Sequence, residues 1–425
     1  MRRIRGSMLV VSAVLITLAG CGAGKPAAYT GPGWPRWRGP NNDGVSTESS
    51  WNPMALQGDA RILWKRDVGT GYSSPSIQGA RLFIAGTQQV RFTVFCLDAV
   101  NGRQIWKRQF KGSLDAEATP AVDGDRLYGL MQDGNLFCLK TSDGSLVWNV
   151  SCSDDFKARR PYCGWAASPV VDGNLLLLNA NSLLAAVDKI TGKTVWTVQD
   201  AVPPGSWGSY STPVVADIGG ARLALFLGPS TLKAVAVTTG TVAWSYVHGD
   251  RIHSVADPVV SGNGVFVSVP QMGARLSVEG GKVRETWKSL DHSTWLPPPV
   301  LVDGHLYGCF IPSTLFLTVW GAIAAQSLPF RCVDWQTGKT VWERRATYVS
   351  VTAAGDKLIT VELNGTIHVV EASPAGYKEI ATTSVLTKGK GSKTFAVPLV
   401  LCGGRLYCRN YAGELTCIDV SAHAR

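Results

Sequence analysis

A ten-residue pattern returns along this 425-residue chain and constrains its fold more than any other feature. Leu97-Asp98-Ala99-Val100-Asn101-Gly102-Arg103-Gln104-Ile105-Trp106 lines up with Val187-Asp188-Lys189-Ile190-Thr191-Gly192-Lys193-Thr194-Val195-Trp196. Both line up with Val333-Asp334-Trp335-Gln336-Thr337-Gly338-Lys339-Thr340-Val341-Trp342. Weaker copies end at Trp148 and Trp244, and a degraded one at Trp287. Each reads as strand, tight turn, strand, with the glycine supplying the positive φ of the turn. Trp64, Trp106, Trp148, Trp196, Trp244, Trp287 and Trp342 are separated by 42, 42, 48, 48, 43 and 55 residues. Short strands at a period of about 40–50 residues indicate a β-propeller.

A second motif supports this. Small residues and proline precede apolar strands at Ser74-Pro75, Thr119-Pro120, Ser168-Pro169, Thr212-Pro213, Asp257-Pro258 and Val397-Pro398. The units number eight. Six end at the tryptophans from Trp106 to Trp342, a seventh runs from about Tyr348 to Thr382 with Ile380 in the tryptophan position, and the eighth starts at Phe395. The eighth lacks its last strand, and the chain begins with an orphan last strand, Arg61–Val68. The expected fold is therefore all-β: an eight-bladed propeller of four-stranded blades over residues 59–425, closed by an N-terminal strand that completes the last blade. Closure removes free edges between the first and last blades. The seven repeat tryptophans are read as structural, each facing a neighbouring blade.

Composition agrees. The chain has 46 glycines and 17% charged residues, against usual values of about 7% glycine and about 25% charged. Hydrophobic content of 45% excludes disorder, and neither a collagen period nor coiled-coil composition is present.

Residues 1–20 read as a signal peptide: Arg2, Arg3 and Arg5, then an apolar run from Met8 to Ala19 too short to span a bilayer. The run ends in Leu18-Ala19-Gly20-Cys21, which resembles a bacterial lipobox and implies lipidation of Cys21. The expectation is a lipid-anchored, periplasm-facing protein of the bacterial envelope. Gly22 in place of an aspartate favours the outer membrane. Residues 21–58 read as a Gly/Pro-rich linker. Loss of residues 1–20 lowers the net charge from +10 to +7. In an exported protein that points to membrane surface, cell wall or an acidic partner rather than nucleic acid. Arg344-Arg345 and Lys388-Lys390-Lys393 read as solvated surface charge.

The Asp-x-x-Thr-Gly-Lys-x-x-Trp unit resembles the tryptophan-docking motif of the pyrroloquinoline-quinone (PQQ) type propellers. One branch of that superfamily comprises quinoprotein dehydrogenases, which hold quinone and calcium. The other comprises cofactor-free lipoproteins of BamB type, which scaffold outer-membrane protein assembly. The lipobox and short blades resemble the second branch. Trp34-Pro35-Arg36-Trp37-Arg38-Gly39-Pro40 resembles a segment preceding the ring in PQQ-like propellers of planctomycetes and related bacteria. The dehydrogenases commonly carry adjacent cysteines over the quinone, and no Cys-Cys pair occurs here. The resemblance therefore implies a non-enzymatic scaffold with envelope protein partners, acting as a monomer or as a subunit of a larger complex. No cofactor is expected; PQQ and calcium belong to the alternative of a quinoprotein oxidoreductase. A third reading is a carbohydrate- or polymer-binding propeller.

No catalytic or metal constellation stands out. His248, His253, His292, His305, His368 and His423 lack zinc-ligand spacing, and no nucleophile elbow or Walker loop occurs. Cys96, Cys138, Cys332 and Cys417 share one repeat position and read as small core residues. Cys152 and Cys163 flank an enlarged loop, and an oxidising compartment permits a bridge between them; two free thiols are the alternative. Cys309, Cys402 and Cys408 lie on or beside inner strands, where one further pair could form.

Two surfaces are candidates for partner contact. Loops leading to the proline strands carry Tyr72, Glu117, Trp165, Trp207, Tyr210, His253, Trp295, Tyr348 and Phe395. They either offer a binding mouth or plug it by packing on each other. An apolar insertion at 313–327, containing Trp320, is either a finger for a partner or membrane, or a loop folded back onto the ring.

Overall fold

The computed structural model describes residues 33–112, 115–249, 253–294, 297–311, 328–347, 349–385 and 397–424. Eight antiparallel four-stranded units follow one another along the chain. Blades 1 to 7 span 76–110, 121–151, 170–199, 214–247, 259–289, 300–346 and 349–384. Blade 8 combines Val400–Cys402, Arg405–Arg409 and Glu414–Asp419 with Ile62–Asp67 from the N-terminal end. Ile62–Asp67 pairs antiparallel with Glu414–Asp419. The eight blades form a propeller, and this pairing joins its two ends.

The tryptophan repeat works through a contact between blades. The indole Nε1 of Trp64 donates to the Ala99 carbonyl at 3.3 Å, and that of Trp106 to Thr141 at 3.0 Å. Trp148, Trp196, Trp287 and Trp342 donate likewise to Lys189, Val237, Trp335 and Ser373 at 2.8–3.1 Å. In each case the acceptor lies in the turn of the next blade. In five of these six contacts the ring also lies on that turn's glycine, Trp342 being the exception. A Cβ on Gly192 would sit 2.8 Å from Trp148, and the same approach recurs at Gly102, Gly144, Gly240 and Gly338. The glycine is thus fixed twice, by its φ of +73° and by the indole above it. Trp244 departs from the pattern: its Nε1 has no hydrogen-bond partner among the described residues. It faces blade 5, where the ten-residue turn has shrunk to the hairpin at Gly280-Gly281.

Directly across from these indoles sit the repeat cysteines. Cys96 pairs with Trp106, Cys138 with Trp148, Cys332 with Trp342 and Cys417 with Trp64, all four fully buried. A small residue there leaves room for the ring. In all eight blades the register shifts at the equivalent position, a bulge that turns the outer strand.

The seam between blades 8 and 1 is locked by Arg409. Its buried guanidinium donates to the carbonyls of Ser73, Ala85 and Gly69 at 2.6–2.8 Å. Burial pushes its pKa down to about 9, with Asp115 and Asp67 opposing the shift.

Candidate functional site

The inner strands surround the propeller axis, and the serine–proline and threonine–proline motifs form a belt at their start. The amide of Ser74 donates to Thr119 Oγ1, that of Thr119 to Ser168 Oγ, and that of Ser168 to Thr212 Oγ1, at 2.9–3.1 Å. The amide of Thr212 then donates to Asp257 Oδ1 at 2.7 Å. Each side-chain oxygen satisfies a buried backbone donor of the preceding blade, which an unpaired strand start would otherwise leave exposed.

Asp257 ends this run, and the N-terminal segment meets it there. Residues 34–56, read above as part of a linker over 21–58, are instead docked in the ring. Trp34 bridges Ile77 in blade 1, and the Pro35 carbonyl accepts from Val122 in blade 2. Arg36 donates to the Val171 carbonyl in blade 3 at 2.7 Å. Trp37 Nε1 donates to Asp257 Oδ2 at 2.6 Å. Arg38, buried, donates to the carbonyls of Pro298 and Pro299 at 2.9 Å, just before blade 6. Val45–Ser46 adds a parallel strand to blade 7, and Glu48 Oε2 accepts the Gly403 amide of blade 8 at 2.6 Å. One stretch of chain thus touches seven blades on their axial side. Burial is the main influence on Arg38 and Asp257. It lowers the pKa of Arg38, against the pull of Asp257 and Asp43, and raises Asp257 to about 6, against the pull of Arg38 and the donors on it.

Around this plug lies a collar of loops. The Ala116 carbonyl accepts from the amides of Tyr72 and Ser73, the Trp165 amide donates to Gln132, and the Tyr162 amide donates to Trp207. Gly208–Ser209 pairs with His253–Ser254. On one side stands an acidic and phenolic group. Tyr411 Oη donates to Asp115 Oδ2 at 2.8 Å and its ring lies 4.9 Å from that of Tyr72. Glu117 is half-buried beside them. Burial, with Asp115 adding to it, pushes its carboxyl up to about 7. On the other side three rings stack in a row: Tyr162 on Trp207 at 5.5 Å and Trp207 on His253 at 5.5 Å. Burial holds His253 down at about 4, so it is neutral at pH 7. Tyr210 belongs to this second side, donating to the Trp207 carbonyl and accepting from the Cys163 amide.

Of the mouth residues expected from sequence, Tyr72 and Glu117 stand on the first side of the collar, and Trp207, Tyr210 and His253 on the second. Trp165 does not: it is buried with Phe156 and Cys152 in the core of blades 2 and 3, so it offers no face to a partner. Trp295, Tyr348, Phe395 and Trp320 with its insertion 313–327 lie outside the described residues, as does Cys21. The expected Cys152–Cys163 bridge is not formed; both are free thiols. Cys152 is turned into that core, whereas Cys163 is exposed in the collar. Sequence reasoning missed Tyr162, Asp115 and Tyr411, and gave Arg38 and Asp257 no role in the site. Asp257 carried a signal, being the charged residue in a slot otherwise filled by serine, threonine or valine.

Trp37 and Arg38 dock against the starts of the inner strands. Among the described residues no three His, Cys, Asp or Glu side chains are grouped so as to hold a metal ion. No helix among them is long and apolar enough to cross a membrane.

The family model described as outer membrane protein assembly factor BamB matches residues 54–129 and 90–310. The chain belongs to this PQQ-like propeller family. The BamB of Yersinia pestis is 26% identical over 274 residues, 58% of this chain and 65% of that protein. The chain thus spans slightly less than two thirds of that curated relative. Among BamB-family solved structures, that from Moraxella catarrhalis superposes with a TM-score of 0.60 at 16% identity, covering 85% of this chain and 98% of the other. The quinohemoprotein alcohol dehydrogenase of Comamonas testosteroni gives 0.66 at 12% identity, covering 93% and 81%. At these identities both likenesses concern the fold.

Proposed function

We propose that this chain is a non-enzymatic scaffold of the bacterial cell envelope, anchored by lipid on Cys21, that binds protein partners in outer-membrane protein assembly. The observation that carries this reading is the docked N-terminal segment: the chain's own Trp37 and Arg38 bind Asp257 and the Pro298 and Pro299 carbonyls at the starts of inner strands. A ring that holds its own N-terminal segment in this way offers its collar and blade edges to partners. The name of the Yersinia pestis relative supplies the process, and the analogy is one of family. The collar's Tyr72, Trp207, Tyr210 and exposed Tyr162 suit a protein contact, because aromatic residues with a polar tip serve interfaces well.

The test is a Cys21→Ser variant expressed in place of the native protein. Loss of the protein from the membrane fraction, with less folded porin in the outer membrane, supports the reading. Unchanged porin assembly in a strain lacking the protein altogether would remove it. Dye reduction by purified protein supplied with quinone and calcium would install the oxidoreductase alternative.

A further inference from the structure

Blade 7 is held together differently from the other seven. Each of those carries a repeat tryptophan on its outer strand; in blade 7 that slot, opposite Val369, is taken by Ala381 rather than the expected Ile380. Ala55 and Leu56 share an apolar core with Ala381. Gly58 donates to the Thr382 carbonyl at 2.9 Å and accepts from Thr383 Oγ1 at 2.6 Å. The outer strand Glu379–Ser384 thus holds the approach to the closing strand Ile62–Asp67. A polar cluster ties the same strand to the rest of blade 7 and to blade 6. His368, buried, lies across from Thr382 on the strand Thr366–Glu371. Its Nδ1 is 2.8 Å from Glu379 Oε2, and its Nε2 is 3.3 Å from Glu362 Oε1, off the line of a hydrogen bond. Glu379 also meets Arg344 of blade 6 at 3.5 Å and accepts from Tyr377 Oη at 3.0 Å, and the Arg344 guanidinium lies over the Tyr377 ring. Glu362 accepts from Thr347 Oγ1 at 2.7 Å, where the chain passes from blade 6 to blade 7.

The cluster is complete in one protonation state of the imidazole. A neutral ring has a single N–H. The short contact with Glu379 claims it for Nδ1, and Thr382 Oγ1, 3.3 Å away, gives its own proton to the Ile367 carbonyl. A bare Nε2 lone pair then faces the Glu362 carboxylate, which repels it. A second proton on the ring turns that repulsion into an ion pair. It also balances the cluster, since Glu362 and Glu379 then stand against His368 and Arg344. We propose that His368 is a pH-sensitive clasp on the outer strand of blade 7, closed when charged and open when neutral, through which the surrounding pH sets how firmly residues 55–58 are held. The clasp belongs to the ring itself and stands apart from the scaffold reading. Burial pulls the pKa of His368 down, but the hydrogen bonds and charges of Glu362 and Glu379 outweigh it and leave it above the ordinary 6.5. His368 in turn holds Glu362 below the usual carboxylate range. The folded ring therefore binds the His368 proton more tightly than the unfolded chain does. That stabilisation is complete below pH about 6.5 and is lost as pH rises through the folded value.

The experiment uses the full chain. The His368 ring is titrated by NMR, its signal assigned by its loss in His368→Gln. Amide protection factors, which remove the intrinsic pH dependence of exchange, are measured for Gly58 and 379–384. The reference is Thr194–Gln199 of blade 3, an outer strand with no titratable side chain. The expected midpoint lies above 6.5. From about pH 6 to about pH 8, protection of Gly58 and 379–384 should fall at least about threefold relative to 194–199. In His368→Gln it should be equally low at both pH values. Glu362→Gln keeps the imidazole and removes the carboxylate at Nε2, so the midpoint should move down; that shift also assigns the signal should His368→Gln not fold. A native midpoint at or below 6.5, protection in 379–384 that keeps step with 194–199, or a fall that persists in His368→Gln overturns the proposal.

Discussion

The indole of Trp37 and the carboxylate of Asp257, 220 residues apart, are joined by a 2.6 Å hydrogen bond near the axis of the ring. The other oxygen of Asp257 accepts the Thr212 amide at 2.7 Å. One side chain therefore ties the N-terminal segment to the belt that links the blades. Replacing Trp37 with phenylalanine keeps the ring but removes a donor from a buried carboxylate. The expected loss is about 1–3 kcal/mol in urea unfolding. Asp257→Asn should also destabilise, and the double variant should cost less than the sum, because both changes break the same bond. Additive effects would show that the segment is not held through this pair.

Glu117 provides a pH signature. Its carboxyl is raised to about 7 in the folded ring, above its ordinary value of 4.5, chiefly by burial. The folded state therefore holds this proton more tightly than the unfolded chain does. The stabilisation is complete below pH about 4.5 and is lost as pH rises through about 7. Glu117→Gln should remove that fall. Between pH 5 and pH 8 the melting temperature of the variant should drop less than that of the native protein, by on the order of 2 °C. Parallel curves would mean that Glu117 is more hydrated than its position in the collar implies.

At the blade contacts, Gly192→Ala should cost more than Gly173→Ala. Both glycines have positive φ, +73° and +55°. A Cβ on Gly173 meets nothing within 4 Å, whereas one on Gly192 strikes the Trp148 ring at 2.8 Å. Backbone strain of about 1–2 kcal/mol is common to both. The displaced indole adds about 1–3 kcal/mol at Gly192 alone. Denaturant midpoints of the two variants measure the difference.

Arg409→Met should loosen the seam. It removes the donors to Ser73, Ala85 and Gly69 and leaves three buried carbonyls without them. A loss of about 3–5 kcal/mol is expected, with faster amide exchange in 62–67 and 81–88 before other blades open. Uniform exchange around the ring would place the weak point elsewhere.

Thiol labelling separates Cys152 from Cys163. Cys163 is exposed and should react in the native state. Burial pushes the Cys152 thiol well above its usual range, so it should react on unfolding alone.

The ring was legible because tryptophan spacing and glycine turns are local signals, and each is fixed by a contact that recurs. The belt was half legible. Ser74-Pro75 and its relatives marked strand starts, but the partner of each hydroxyl lies one blade away and leaves no trace in local periodicity. The segment around Trp37 and Arg38 was misread for a related reason. It is held by arginine and indole donors to backbone carbonyls and to Asp257, so it lacks the apolar alternation that identifies a docked strand. Trp165 was misplaced because the enlarged loop 151–165 folds back on blades 2 and 3, which its composition did not announce. The collar's Tyr411 and Asp115 come from opposite ends of the chain and meet across the seam.

That seam also sets the order of events in making the protein. Lys65 and Glu414, paired at 2.9 Å, are 349 residues apart. At about 5–20 residues per second, the strand 62–67 waits on the order of tens of seconds for its partner to be synthesised. Until then blade 8 does not exist and blade 1 has no neighbour on one side. The ring cannot mature piecemeal from its N-terminus, and a chain halted before Glu414 leaves an open arc with two raw ends.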